Sequence, residues 1–580
     1  MAIIYQIPTE TLLQIFRTIQ LDNRIENHIL DDQLDSTQIL FCLSRVCRLW
    51  RKIIWGCPTL WSDICLNIGR IDTGDVSRVK RQATGRLERA GGVLLSLTIL
   101  FPYEYDEERW TGEESAEILP VQLANIFRDT MSRWKSFRMH AHPIEIQSFL
   151  DSCTGPTPNL SRIIIKLRDI DLGGIPRTLF IPFQRPGGVD SGSPVVARFT
   201  SILPIYSSLG TSVTELRVNV SDGRLRTIDL ITMLLSCPNL IEFSVIGEPK
   251  SSMTGDIPNP VVVPLLHLVQ LHLWRIRDPE HLLGALRLQA LQSLTIYWVH
   301  WSPAMQDALQ RISQTCTSLI SLDIDGDASD TTQDAPDFLA WESPTFPSVE
   351  RFKLQSDHLI NLCLRRSALS LPQAQEFALG VVPLDIAYHL LSSSTQLKSL
   401  SLYSVNADVV PRDAPIITLP HLLSINAGIY FGYLILSYIT APNLSELLID
   451  DRCVLSMDVI RDLIARSNPP LRKLRLYGEG LADADVLWCL QRLPLLEELE
   501  IAGTEMSDAT LRALEAPPPS EQGDVPDILL PQLRSATIGQ GHTFNEHITT
   551  QGFAALTTSR LTVDWKLAFN TGEIRAWRAE

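Results

Sequence analysis

Groups of residues with the spacing that catalysis or metal binding requires are scarce in this chain. The sequence contains no Walker loop, no dinucleotide-binding glycine fingerprint, no HExxH pair and no nucleophile elbow. Its densest cysteines, Cys42, Cys47, Cys57 and Cys65, match no zinc spacing, which indicates ordinary buried thiols. We therefore predict neither a cofactor nor an enzymatic activity, and a hydrolase or transferase with an unrecognised site is the weakest alternative.

A run of aspartates is the best candidate for a cation site, because hard cations bind several carboxylate oxygens. Its members are Asp323, Asp325, Asp327, Asp330 and Asp334. The glycine of the run, Gly326, does not follow the third aspartate as a calcium loop requires, and Asp323 and Asp325 alternate as residues of a strand do. A solvated strand edge leading into an acidic loop is the preferred interpretation, and no metal site is predicted.

The balance of charge restricts the partners of this 580-residue chain. It has 50 Lys and Arg against 66 Asp and Glu, a formal charge of −16, which argues against a nucleic-acid partner gripped through its phosphates. The opening residues do not resemble a secretory signal, so we expect an intracellular protein, cytoplasmic and/or nuclear, with reduced cysteines. Residues 414–445 carry no charged side chain, but three prolines interrupt them, which favours a strand and helix of a repeat over a membrane span.

A short phrase recurs along the chain. It consists of an apolar residue, two variable positions, a second apolar residue, one variable position and a third apolar residue. The clear copies begin at Leu160, Val213, Leu240, Leu268, Leu291, Leu319, Val349, Leu397, Leu444, Leu471 and Leu496. Weaker copies begin at Leu94, Trp134, Leu422 and Leu533. Starts such as 240, 268, 291 and 319 lie 28, 23 and 28 residues apart, close to the period of leucine-rich repeats.

Helical stretches separate several copies, for example at residues 456–467 and 483–493, and strand–helix–strand at this spacing builds a parallel sheet. We predict an α/β fold, with a leucine-rich-repeat solenoid and its curved parallel sheet over residues 159–580, after a linker and early irregular repeats at 66–158. Loop excursions rich in Pro, Gly, Ser or Asp are expected near 182–194, 325–347 and 516–531. The asparagine that leucine-rich repeats place three residues after the last leucine is mostly missing, since Arg168, Asp327 and Thr504 stand there.

The variable positions of the phrase are the candidate target-binding residues. Strand alternation turns them away from the core, onto what we call the open face of the sheet. The candidates are His272, Trp274, Tyr297, Asp323, Lys353, Tyr403, Arg475 and Tyr477. Aromatic residues mixed with charges of both signs suit the recognition of a protein, although each residue alone is also compatible with an ordinary solvent-exposed strand position.

Two amphipathic helices are predicted before the repeats. The first has Pro8 in its first turn and spaces Leu12, Phe16 and Ile19 along one face. The second runs from about Gln38 and carries apolar residues at steps of three and four: Ile39, Leu43, Val46, Trp50 and Ile53. Three tryptophans in so small a segment, at 50, 55 and 61, indicate an apolar surface that a partner completes, and a simple cap for the solenoid is the alternative.

Residues 1–65 resemble an F-box. The resemblance rests on Ile7-Pro8-Thr9-Glu10, Leu12-Leu13 and Ile15-Phe16, followed by the run from Leu43 to Trp50 and by Pro58-Thr59-Leu60-Trp61. It implies a surface that docks on the Skp adaptor, and through it on a cullin, of a Skp-cullin-F-box ubiquitin ligase. The residues that it places on this surface are Pro8, Leu12, Leu13, Phe16, Val46 and Trp50. The stretch between the two helices, residues 21–37, is longer than the family usually shows.

The combined expectation is a substrate-recognition adaptor. The F-box-like segment would recruit the ligase, the repeats would present a target protein, and the transfer chemistry would belong to other subunits. The alternative is a leucine-rich-repeat scaffold that binds proteins without any role in ubiquitin ligation.

Overall fold

A computed structural model describes most of the chain, in two compact units, Met1–Leu291 and Gln292–Glu580. The described residues are 7–26, 36–68, 76–101, 113–167, 177–185, 193–220, 225–247, 253–254, 262–276, 278–299, 303–326, 344–355, 369–406, 414–430, 432–516, 528–540, 548–560 and 563–568. Each unit is α/β, with repeat strands that pair in parallel, as the sequence predicts.

The N-terminal helical segment differs from the prediction in two places. Its elements are Thr9–Glu26, Ser36–Ser44, Arg48–Gly56 and the 3₁₀ turn Pro58–Trp61. The first helix therefore extends into residues 21–37, which were predicted to lie between the two helices. The prediction of one continuous second helix is wrong, because two helices occupy that region. The helix breaks there because Cys47 is extended and caps a new helix, its Sγ accepting the Trp50 N–H at 3.4 Å. Arg51 Nε donates at 3.1 Å to the backbone carbonyl of Ser44, the last residue of the second helix.

The first unit continues from this segment directly into a parallel sheet. In pairing order its strands are Asp63–Asn67, Leu95–Leu100, Trp134–Ala141, Arg162–Leu167, Val195–Thr200, Val213–Asn219, Glu242–Ile246 and Gln270–Trp274. Its further helices are Val76–Ala90, Glu113–Arg128, Pro143–Ser152, Thr227–Leu235 and Glu280–Ala285. Short parallel pairs join Arg177–Ile181 to Ile202–Tyr206, and Leu225–Arg226 to Met253–Thr254.

The second unit repeats the same arrangement. In pairing order its strands are Ser293–Val299, Ser321–Gly326, Arg351–Gln355, Glu376–Gly380, Ser399–Asn406, Ser424–Tyr430, Glu446–Val454, Lys473–Ala482, Glu498–Glu505, Ser535–Gln540 and Asp564–Ala568. Its helices are Pro303–Thr315, Leu384–Ser392, Met457–Ser467, Asp483–Leu490, Asp508–Leu514 and Thr550–Ser559, with a 3₁₀ helix at Gly432–Tyr438.

The apolar positions of the repeat phrase form the core. In the clear copies all three positions are buried, and only Leu94, in a weak copy, is exposed. Four of the described strands of the two sheets have no predicted copy of the phrase: Asp63–Asn67, Val195–Thr200, Glu376–Gly380 and Asp564–Ala568. In the second and third of these, alanine replaces a large apolar residue, at Ala197 and Ala374. Strand Ser321–Gly326 includes residues assigned to the second loop excursion, whereas much of all three excursions lies outside the described residues.

An asparagine side chain joins successive repeats at the turns that open three of the strands. Asn159 Nδ2 donates to the Ser132 carbonyl at 2.7 Å, Asn239 Nδ2 to that of Thr211 at 2.7 Å, and Asn443 Nδ2 to that of Pro420 at 2.8 Å. Each bond joins a Pro-Asn-Leu turn to the turn of the preceding repeat. The chain thus has asparagine bridges on the entry side of the strands, although the usual ladder position lacks asparagine.

Aspartates bridge the helix starts of the later repeats. The Asp483 carboxylate accepts hydrogen bonds from the backbone N–H groups of Ser507 and Thr510, at 2.9 and 3.3 Å, and from both hydroxyls. Asp508 accepts from the N–H and hydroxyl of Thr549, at 2.8 and 2.6 Å. Burial alone would raise the pKa of Asp483, but the hydrogen bonds from Ser507 and Thr510 lower it below its usual value.

Asn239→Ala is expected to lower the free energy of unfolding by about 1 kcal/mol, because the Thr211 carbonyl loses its partner. Urea denaturation followed by circular dichroism measures the change. Asn219→Ala is the matched control, since the exposed Asn219 side chain makes no hydrogen bond with the described residues. Equal effects of the two substitutions would show that the asparagine bridge does not contribute.

Asp483→Ala is expected to cost about 2 kcal/mol at neutral pH, where the ionised carboxylate accepts several hydrogen bonds. Because the folded state lowers the pKa of Asp483, its contribution is present above the unfolded-state pKa and is lost as the pH falls through the folded-state pKa. Thermal unfolding of the variant and the parent should converge in acid. Asp458→Ala, at an aspartate whose side chain is 87% exposed, should have little effect at any pH.

Candidate functional site

The N-terminal helical segment has its own small core. Leu12 and Phe16 are buried, and the Phe16 ring packs edge-on against the half-buried Trp50, with ring centroids 5.0 Å apart. Arg17 Nη2 also donates to the Thr59 hydroxyl at 2.8 Å, which links the first helix to the 3₁₀ turn. Three of the six predicted docking residues therefore hold the segment together.

The other predicted docking residues are accessible. Pro8 and Val46 are exposed, Val46 by 56% because it lies in the break between the second and third helices, and Leu13 is half-buried. Two exposed apolar residues were missed, Ile15 and Phe41. They lie off the apolar stripe of their helices, and their signal in the sequence is that large apolar side chains occupy positions where helical periodicity expects polar ones.

An aromatic cluster joins the segment to the first repeat. It consists of Phe41, Trp55 and Trp61, whose ring centroids lie 5.2 to 5.9 Å apart, and of Arg89 from helix Val76–Ala90. The Arg89 guanidinium lies 4.6 Å from the Trp55 ring centroid and 5.0 Å from that of Trp61. Trp61 also donates its indole N–H to the Ile54 carbonyl at 2.9 Å. Its ring is therefore held by helix Arg48–Gly56 on one side and by Arg89 on the other.

Three candidate target-binding residues meet on the open face of the second unit. The Tyr297 hydroxyl donates to the Asp323 carboxylate, and Lys353 Nζ lies 3.0 Å from the Tyr297 oxygen and 3.6 Å from Asp323. Lys353 also lies 4.8 Å from the Tyr297 ring centroid. Burial, followed by the Asp323 carboxylate, raises the pKa of Tyr297.

A second triad occupies the same face farther along the unit. The Arg475 guanidinium lies 4.5 Å from the Tyr477 ring centroid and 3.4 Å from the Glu500 carboxylate, to which Tyr477 donates at 3.3 Å. Burial and the Glu500 carboxylate raise the pKa of Tyr477. The neighbouring Lys473 and Glu498 are paired at 2.9 Å. Each triad presents an aromatic ring beside an ion pair, which favours contact through ring surface.

Small side chains separate the two triads. The strand register places Ala378, Ser401 and Asn426 between Lys353 and the Leu448–Arg475 pair. Tyr403 lies in this stretch, on strand Ser399–Asn406, and 49% of its surface is exposed. The remaining candidates lie in the first unit, on strand Gln270–Trp274, where His272 is half-buried and Trp274 is 43% exposed. In the second unit the candidates thus lie in the two triads and at Tyr403 between them.

The described ranges offer neither a metal site nor a membrane span. No group of three His, Cys, Asp or Glu side chains there could hold a metal ion, and Asp327, Asp330 and Asp334 lie outside those ranges. No helix within them combines the length and apolar character that crossing a bilayer requires. Within the charge-free stretch, Ile417–Thr418, Ser424–Tyr430 and Ile439–Thr440 are strands and Gly432–Tyr438 is a 3₁₀ helix.

Comparison with known proteins identifies the N-terminal segment. Residues 4–67 match the sequence model of the F-box-like family. No curated protein sequence matches the chain. The chain thus combines an F-box-like segment with a leucine-rich-repeat solenoid.

Among solved structures, the chain shows low similarity to three examples. An internalin from Listeria monocytogenes is 15% identical, with a TM-score of 0.29, over 63% of this chain and 83% of the internalin. A TLR13–ssRNA13 complex is 12% identical, with a TM-score of 0.34, over 76% of this chain and 59% of the other chain. A yeast Rad7–Elc1 complex is 11% identical, with a TM-score of 0.22, over 86% of this chain and 96% of the other chain.

Phe16→Ala is expected to destabilise the N-terminal helical segment by about 3–5 kcal/mol, because a fully buried ring is removed. Val46→Ala should change stability by no more than about 0.5 kcal/mol, since its side chain is exposed. Hydrogen exchange of the helix amides, read by mass spectrometry, distinguishes the two variants. Similar protection in both would contradict the division into core and surface.

Proposed function

We propose that this protein is the substrate-recognition adaptor of a Skp-cullin-F-box ubiquitin ligase. In this proposal the F-box-like segment docks on a Skp-type adaptor, which connects it to a cullin, and the open face of the repeats binds a target protein. The chain holds its partners and catalyses no step itself.

The observation that carries the proposal is the F-box-like segment at residues 4–67, whose apolar residues are incompletely buried. Ile15, Phe41 and Val46 are 40%, 38% and 56% exposed in a segment that has a formed core beneath them. Large exposed apolar side chains on a folded segment are typical of a protein interface. The docking surface that we propose is therefore Pro8, Leu13, Ile15, Phe41 and Val46, with Leu12, Phe16 and Trp50 supporting it.

The aromatic cluster at the junction supports a receptor role. The F-box-like segment packs directly against helix Val76–Ala90 of the first unit, through the cluster of Phe41, Trp55, Trp61 and Arg89. A receptor benefits from this connection, since a target bound to the first unit is then held at a fixed position relative to the docking surface. A repeat scaffold without ubiquitin machinery is the second candidate, because the open face alone would serve it equally well.

Co-purification with a Skp-type adaptor tests the proposal. The intact chain should bind, and Ile15→Asp/Val46→Asp should lose binding, because two carboxylates would be desolvated in an apolar interface. Circular dichroism should show that the variant remains folded, since both side chains are exposed.

Ile144→Asp/Ile228→Asp is the matched control. These isoleucines are 45% and 44% exposed but lie in the repeats, so adaptor binding should persist. Failure of the intact chain to bind would remove the ubiquitin role and leave the scaffold. Loss of binding in the control as well would show that the docking surface is misplaced.

A further inference from the structure

A cluster of cations lies on the open face of the first unit. We call Arg138, Arg162, Lys166, Arg198 and Arg217 the basic cluster; they come from four adjacent strands between Trp134 and Asn219. In register, Arg198 stands opposite Arg217, and Ile164 stands between Arg138 and Arg198. Strand spacing places the whole cluster within about 14 Å across the sheet. These residues were not predicted as a binding site, because none of them is aromatic and the chain as a whole is acidic.

The protein itself neutralises little of this charge. Within the described residues, only Arg198 has a carboxylate partner, Glu215 at 3.2 Å, and the other four cations make no hydrogen bond or ion pair. Most open-face cations of the second unit differ in this respect, since Lys353, Lys473 and Arg475 each contact a carboxylate, whereas Arg351 makes no ion pair with the described residues. The lack of carboxylate partners therefore distinguishes the basic cluster from most open-face cations of the second unit.

Proximity of like charges is unfavourable unless an anion offsets it. Burial lowers the pKa of Arg138, Cys65 opposes this, and the neighbouring Arg162 and Arg198 lower the pKa further, an effect that a nearby anion would oppose. Arginine is suited to this task because its planar guanidinium binds carboxylates through two parallel hydrogen bonds. Cations that are close together, unpaired and solvent-accessible on a binding face are the signature of an anionic partner.

We propose that the basic cluster binds an acidic segment, rich in Asp and Glu, of the target protein. The inference rests on the proposed receptor function, because it names the chemistry of what the repeats bind. About four extended residues span the 14 Å of the cluster, so several carboxylates reach it at once. Nucleic acid fits less well, because its phosphates continue along the strand past the cluster and meet Glu215 and Glu242 in register at its border, whereas an acidic segment of a protein can end within the cluster.

Fluorescence anisotropy of a labelled glutamate-rich peptide with the full chain tests the proposal. Binding should weaken as salt is added, as expected for an accessible charged surface. Arg162→Glu/Arg217→Glu should weaken it by about tenfold or more, because two attractions become repulsions. Arg162→Gln/Arg217→Gln should give a smaller loss in the same direction, and it keeps the comparison valid if charge reversal disturbs folding.

The matched control places the same charge change on the second unit. Arg351→Glu/Lys398→Glu alters two exposed cations there and should change peptide affinity by less than about twofold. Equal loss in the control would show a response to net charge alone and would overturn the proposal. Tighter binding of a single-stranded DNA oligonucleotide, lost in the Arg162/Arg217 variant, would also overturn it by identifying a phosphate-binding surface.

Adaptor co-purification with the same variants separates this inference from the proposed function. If the peptide does not bind but the adaptor does, the acidic-segment proposal fails and the receptor role stands. If the peptide binds through the basic cluster and the adaptor does not, the acidic-segment site stands as part of a scaffold and the ligase role fails.

Discussion

Successive repeat strands pair in parallel and in register, so that equivalent apolar residues lie side by side beneath each sheet. Leu447, Leu474 and Leu499 illustrate this arrangement, since each is fully buried and each stands opposite the next. A register shift of one residue would exchange the buried and exposed faces of a strand. The same constraint therefore builds the core and delivers Tyr477, Arg475 and Glu500 to the open face.

The repeats also need bonds that fix the spacing of their turns and helices. Asparagine bridges such as Asn239 to Thr211 hold the entry turns, and the Asp483 carboxylate holds the start of the next helix. These polar contacts are local to one pair of repeats, so they fix the geometry of neighbours without requiring identical sequences elsewhere. Loops can then vary in length between repeats while the sheet keeps its register.

Periodicity alone predicted most of the sheet, because each strand needs its apolar residues at fixed steps. It failed where alanine fills a core position, as at Ala374, and where a helix breaks for a local reason, as at Cys47. The candidate site was harder to predict. Burial of Leu12 and Phe16 depends on how three helices pack, and the pairing of Lys353 with Tyr297 joins residues 56 positions apart. Neither follows from the spacing within one element.

Charge shows most clearly why composition does not describe a binding face. A formal charge of −16 is a sum over the whole chain, whereas a partner senses the charges within about a Debye length of its contact surface. On the second unit, carboxylates in register with Lys353 and Arg475 cancel the local field. On the first unit, the repeats that supply Arg138 and Arg217 supply too few carboxylates to do so. The global charge keeps the protein away from polyanions in general, and the local cluster selects an acidic segment that enters this one surface.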